Sequence, residues 1–172
     1  MKRMLLGIML VSYLVSTIQA TAAEAPVMLF HLKTGLKHDD AQICVAYNEI
    51  WAALEEGLKV NVLVDADAVN TFKIGWFGKD DIQDYKLPDN LRTGLATQFE
   101  IPLGQVPETY GIFLEMLHAK GAAFYINSAF LVVAGIEDQL GTVENISAKF
   151  FKPITLREML RLRLQADYYV AY

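Results

Sequence analysis

The sequence predicts an α/β domain, a three-layer αβα sandwich around a mostly parallel sheet of four or five strands. Three observations point there. Short apolar runs recur along the chain, as VMLFHL at 27–32, VNVLV at 60–64 and AAFYI at 122–126. Segments with apolar residues at helical spacing lie between them. Capping residues and glycines mark the junctions. Strands that are apolar on both faces belong to parallel sheets covered by helices on each side.

The elements follow in order. Residues 1–22 carry a positive start (Lys2, Arg3), an uncharged apolar stretch from Met4 to Ile18 and a small-x-small site at Ala20-Thr21-Ala22. That order is a secretory signal peptide. The apolar stretch, at about 15 residues, is short of the roughly 20 that span a bilayer; an anchor that stays attached is the alternative. The expected mature domain is 23–172, beginning near Ala23.

The first strand, 27–32, is bounded by Pro26 and Lys33-Thr34-Gly35. Asp39 is a good N-cap with Gln42 three residues on, a capping-box arrangement. The helix it opens runs to about Glu56, with Ile43, Ala46, Tyr47, Ile50, Ala53 and Leu54 on one face and Gly57 as its stop. Residues 60–64 form the second strand, completing a βαβ unit.

A short helix is expected at 68–74. The remainder of an insertion at about 71–105 reads as an irregular loop or lid holding Trp76, Phe77, Tyr85 and Phe99; it is either functional or a packed ornament on the domain edge. Pro107 suits the first turn of a helix whose apolar face is Ile112, Phe113, Met116 and Leu117. The third strand, 122–126, ends at Asn127 and Ser128, and a short helix at 129–134 stops at Gly135. A brief strand at 148–151, a helix at 154–164 started by Pro153, and a final strand at 168–172 complete the reading.

Charge and cysteine content exclude some classes. Removing Lys2 and Arg3 leaves 13 basic residues against 20 acidic ones, a net charge near −7. Such a chain has no basic footprint for nucleic acid and no attraction to an anionic membrane surface after cleavage. The sole cysteine, Cys44, permits no internal disulfide. There is no phosphate loop, GxGxxG, GxSxG, HExxH or CxxC, so no cofactor is expected. Asn145-Ile146-Ser147 matches a glycosylation triplet, a pattern common by chance.

In parallel sheets, ligands bind beyond the C-terminal strand ends, where strand order switches. Lys33 to Asp40 after the first strand, Asp65 to Asp67 after the second, and Asn127 and Ser128 after the third compete for that place. If they converge, Thr34, Gly35, His38, Asn127 and Ser128 make a polar ligand site. A metal held by His38 with Asp65 or Asp67 is the weaker alternative to cap and turn roles for these residues, since the three histidines have no metal-ligand spacing. Cys44 lies in the first turn of its helix at the edge of the buried stripe. It is either packed and inert or a reactive thiol, with Asp39 and Asp40 opposing the second.

Four stretches, in this order and spacing, carry a resemblance: HLKTGLKHDD, LEEGLKVNVLVDADAV, LHAKGAAFYINSAFLVVAGI and LRLQADYYVAY. Together they resemble the DsrE/DsrF-like sulfur-relay family over most of 27–172, least over 71–105. The resemblance implies a persulfide-carrying cysteine just after the third strand, where this chain has Asn127, or Ser128 with the register shifted by one. Neither can hold a persulfide, so sulfur transfer does not carry over. The family's trimers or hexamers imply a homo-oligomer. The expectation is an exported, periplasmic or secreted DsrE-like protein, without catalysis, that binds a small polar molecule or partner protein in sulfur-related metabolism. Two alternatives stand beside it: a sulfur carrier or thiol enzyme using Cys44, and a structural oligomer whose aromatic insertion docks a partner.

Overall fold

The computed structural model describes residues 24–75 and 81–172; the expected signal peptide at 1–22, Trp76 and Phe77 lie outside them. Five parallel strands, β1 (Val27–Leu32), β2 (Lys59–Val64), β3 (Ala123–Asn127), β4 (Lys152–Ile154) and β5 (Tyr168–Ala171), form one sheet in the order β4-β3-β2-β1-β5. The chain walks outward from β1 to β4, then returns across the sheet to place β5 on the other side of β1. Strand order therefore reverses between β1 and β5. The β1 and β3 loops do not converge on the switch point as the sequence predicts, because Asn127 and Ser128 follow a strand two positions from β1.

Among the described residues, six helices connect the strands: α1 (Asp40–Glu55), α2 (Asp81–Asp84), α3 (Asp89–Gln98), α4 (Tyr110–Ala119), α5 (Ser128–Val133) and α6 (Leu156–Gln165). Short 3-10 turns occupy Ala66–Thr71 and Leu103–Gln105. The Asp39 side chain accepts from the Gln42 amide at 3.3 Å, so the N-cap forms as expected. The reciprocal half of the box does not, since the Gln42 side chain takes a long bond from Thr34 instead. Gly57, at φ +76°, turns the chain out of α1 into β2.

The two faces of the sheet are unequal. Phe30, Leu32, Val60, Val62, Val64, Phe124 and Ile126 point into the larger core, against Ile43, Tyr47 and Ile50 of α1 and Phe113 and Leu117 of α4. The opposite face carries Leu29, Leu63 and Ile154, packed on Met159 of α6, with Tyr125 and Leu162 at the margin. Its helix α6 leaves Leu156, Leu160 and Leu164 exposed in a stripe four residues apart.

Several elements differ from the sequence expectation, each for a physical reason. The 71–105 insertion is not an irregular loop: it holds α2, α3 and a 3-10 turn, and Ile82, Leu87 and Leu95 join the main core. Phe99 stacks on Trp51 of α1 with ring centroids 3.9 Å apart. The α4 helix starts after Thr109, whose hydroxyl caps the Ile112 amide, rather than at Pro107; Ile112 is exposed, and Tyr110 and Leu114 take its place in the buried face. Pro153 lies inside β4, an edge strand where its missing N–H is tolerated. The start of α6 is instead a full capping box between Thr155 and Glu158.

The packing of α3 makes the insertion part of the cooperative core. Leu95→Ala is expected to lower unfolding free energy by about 2–5 kcal/mol. Urea denaturation followed by Trp fluorescence and by circular dichroism should move together. A separate early transition, with the main midpoint unmoved, would mark the segment as a lid that opens on its own.

Candidate functional site

The loop after β1 is built on the 3-10 turn after β2. The Gly35 amide donates to Asp67 Oδ2 at 3.0 Å, and the Leu36 amide to the Thr71 hydroxyl at 2.8 Å. A Cβ at Gly35 would stand 2.6 Å from that carboxylate oxygen and 3.0 Å from the Asp67 carbonyl, so only glycine allows this approach. The His38 and Asp39 amides both turn back to the Gly35 carbonyl. Between these segments lies a cavity of about 280 Å³, lined by Gly35, Leu36, Lys37, His38, Asp67, Asn70, Thr71, Lys73 and Tyr85. Asn70 bonds the second oxygen of Asp67 at 3.1 Å, which orients the carboxylate.

Of the five residues expected at one ligand site, only Gly35 and His38 line this cavity. Thr34 turns toward Gln42 on α1. Asn127 is the N-cap of α5. Its Oδ1 accepts from the amides of Ala129 and Phe130, at 3.0 and 3.2 Å, and its Nδ2 donates to Asp65 at 2.7 Å. The Ser128 hydroxyl accepts from the Gly141 amide at 2.6 Å. Ser128 borders a separate, mainly apolar groove of about 670 Å³ with Leu140, Ile154 and Leu156. The cavity residues outside the three candidate strand-end segments are Asn70, Thr71, Lys73 and Tyr85. Their signal was the polar turn after β2; Tyr85 arrives from the insertion.

Cys44 is half-buried on α1, outside the cavity lining, with Asn48 Nδ2 at 3.8 Å from its sulfur. Burial pushes its thiol up from the ordinary value, outweighing the bonds from Asn48 and Tyr110, and Asp40 pushes the same way. Among the described residues, no three His, Cys, Asp or Glu side chains gather into a metal site.

Asp65 lies just beyond β2 and ties the strand ends together. Its Oδ1 accepts from its neighbour's amide, Ala66 N, and from Asn127, each at 2.7 Å. Its Oδ2 faces Nε2 of His31 on β1 at 3.4 Å, within electrostatic reach but poorly aligned for a hydrogen bond. The other ring nitrogen, Nδ1, is 2.8 Å from the Tyr169 hydroxyl on β5. The facing His31 ring, helped by Asn127 and the Ala66 amide and opposed by burial, holds the Asp65 carboxyl down at about 2.

A carboxyl lowered in the folded state stabilises the protein above its unfolded value, and that contribution disappears as pH falls through the folded one. From an ordinary value of 3.8 to about 2, the contribution is about 2 kcal/mol. Wild type should lose about that much stability between pH 4 and pH 2 beyond what Asp65→Asn loses, read from denaturant melts at each pH. Parallel losses in the two proteins would show that Asp65 carries no such linkage.

No family model matches the sequence, and no curated protein does. Among solved structures, the crystal structure of the ychN protein from E. coli, a protein of DsrE-like fold, aligns with a TM-score of 0.53 at 15% identity, covering 87% of this chain and 100% of that one. At that identity the likeness speaks to fold alone. The chain has an α/β fold with an all-parallel five-stranded sheet, and that fold is DsrE-like.

Proposed function

We propose that this chain is an exported, periplasmic or secreted DsrE-like protein that binds a small polar ligand without sulfur-transfer chemistry, in sulfur-related metabolism. The observation that carries the reading is the strand-end cavity. It is bordered by the Gly35–Asp67 contact and lined by Lys37, His38, Lys73, Asp67, Asn70 and Thr71, with no thiol in its lining. Such a lining offers hydrogen-bonding groups of both polarities, which suits reversible binding. The family resemblance supplies the link to sulfur metabolism; the Asn127-Ser128 pair where a cysteine is expected supports binding over relay. The exposed leucines of α6 support a homo-oligomer, a trimer or hexamer in keeping with that resemblance.

A melting screen against small polar metabolites tests the binding reading. A ligand at 100 times its dissociation constant stabilises by about 2.7 kcal/mol. Lys73→Ala should abolish that shift while leaving the unliganded melting temperature in place. A library in which no compound moves wild type would count against the cavity as a binding site.

The second reading, a sulfur carrier based on Cys44, has in its favour only that this is the sole thiol. Cyanolysable sulfur after incubation with a persulfide donor separates the two. No label is expected on wild type or on Cys44→Ser. Stoichiometric label on wild type that vanishes in Cys44→Ser would establish the carrier.

A further inference from the structure

The second face of the sheet holds a polar line that neither the cavity nor the packing requires. His31 is only 2% exposed and shares this face with Leu29, two residues earlier on its own strand, and with Leu63, its partner on β2. An apolar side chain would fill the place without burying an imidazole. The buried ring instead connects two groups of different kind. On one side stands Asp65, fixed by Ala66 and Asn127, 3.4 Å from Nε2, an atom that has no hydrogen-bond partner. On the other stands the hydroxyl of Tyr169, 2.8 Å from Nδ1 and 49% exposed as a residue. The line crosses the face of the pair β1 and β5, the two strands between which order reverses and beyond whose C-terminal ends open parallel sheets accept ligands.

The roles follow from the charges. An ionised Asp65 favours the tautomer with its hydrogen on Nε2, facing the carboxylate. The Nδ1 lone pair is then free to accept the Tyr169 proton. The hydroxyl of a half-exposed tyrosine, a base within hydrogen-bond distance and a carboxylate facing that base are the parts of an activated nucleophile, whatever their order in the chain.

We propose that Tyr169, His31 and Asp65 form a base-assisted nucleophile on the β1–β5 face of the sheet, one that takes small molecules bearing an acyl- or sulfonyl-type electrophile with a good leaving group. In the step, Tyr169 Oη bonds to the electrophilic carbon or sulfur as its proton passes to His31 Nδ1. The bond to the leaving group breaks, and the imidazolium returns the proton to that group. No electrons are exchanged with any other species, and water attack on the resulting ester frees the tyrosine.

Tyr168 supplies an internal control. It is the adjacent residue, is 56% exposed, and lacks the histidine contact. The full-length protein is treated with benzenesulfonyl fluoride, whose S–F bond breaks as the phenolic oxygen adds, and labelled peptides are followed by mass spectrometry over time. Tyr169 should react at least tenfold faster than Tyr168. His31→Gln should bring the two to parity while Tyr168 keeps its wild-type rate. Asp65→Asn, a second variant in case His31→Gln does not fold, should reduce the preference several-fold. Equal rates in wild type, no label at either tyrosine, or a preference that survives both substitutions would overturn the proposal and leave the line a structural tie.

Discussion

The C-terminal edge of the sheet depends on one carboxylate. Asp65 has used up the extended path of β2 and turns its side chain sideways, so that it meets β1 through His31 and β3 through Asn127. Asn127 in turn holds the first amides of α5. Three strand ends and a helix start are thereby referenced to a single half-buried charge. Parallel strands give no such lateral tie through their own side chains when those are apolar, as Leu32, Val64 and Ile126 are here. A charge placed half in the interior is costly unless each oxygen is satisfied, and Asp65 has two donors on one oxygen and an imidazole beside the other.

That tie explains why the strand-end residues part company. With Asn127 committed to Asp65 and α5, it cannot also face the loop after β1. Gly35 instead approaches Asp67, two residues further along in the 3-10 turn that Asp65 caps, and that turn lines the cavity with Asp67, Asn70 and Thr71. The cavity thus belongs to the first βαβ unit plus Tyr85 of the insertion, whose hydroxyl reaches Asp40 at the start of α1. The apolar groove beside Ser128 belongs to β4 and α6.

How much of this the sequence discloses depends on range. Strands and caps are local: VMLFHL, VNVLV and AAFYI declare themselves by uninterrupted apolar character, and Asp39 by its place ahead of a helical stripe. The α3 helix does not, because DNLRTGLATQ has weak apolar periodicity and a glycine within it, and it is held by Leu95 and by Phe99 stacking on Trp51 from across the molecule. Thr155 and Glu158 carry a capping signal in plain view, but Pro153 is equally good as a helix start and as an edge-strand residue, and only the pairing of β4 with β3 decides. The strand-end segments are visible in the sequence as candidates. Which of them face one another follows from strand order, and that order is set by the return of β5 to β1.

The same long return makes the line through His31 invisible in one dimension. His31 and Tyr169 are 138 residues apart, and each looks ordinary alone, one as a strand histidine and one in a terminal run of tyrosines. Their meeting requires that β5 lie parallel beside β1 with Leu29 opposite Tyr169, which places both side chains on the face that α6 covers. Had β5 continued outward past β4, β1 would be an edge strand, and the histidine would keep Asp65 beside it but have no phenol to meet. The crossover that reverses strand order brings an exposed phenol to a buried base, while the turn after β2 supplies the carboxylate that orients it. The polar line and the switch point coincide because one topological choice produces both.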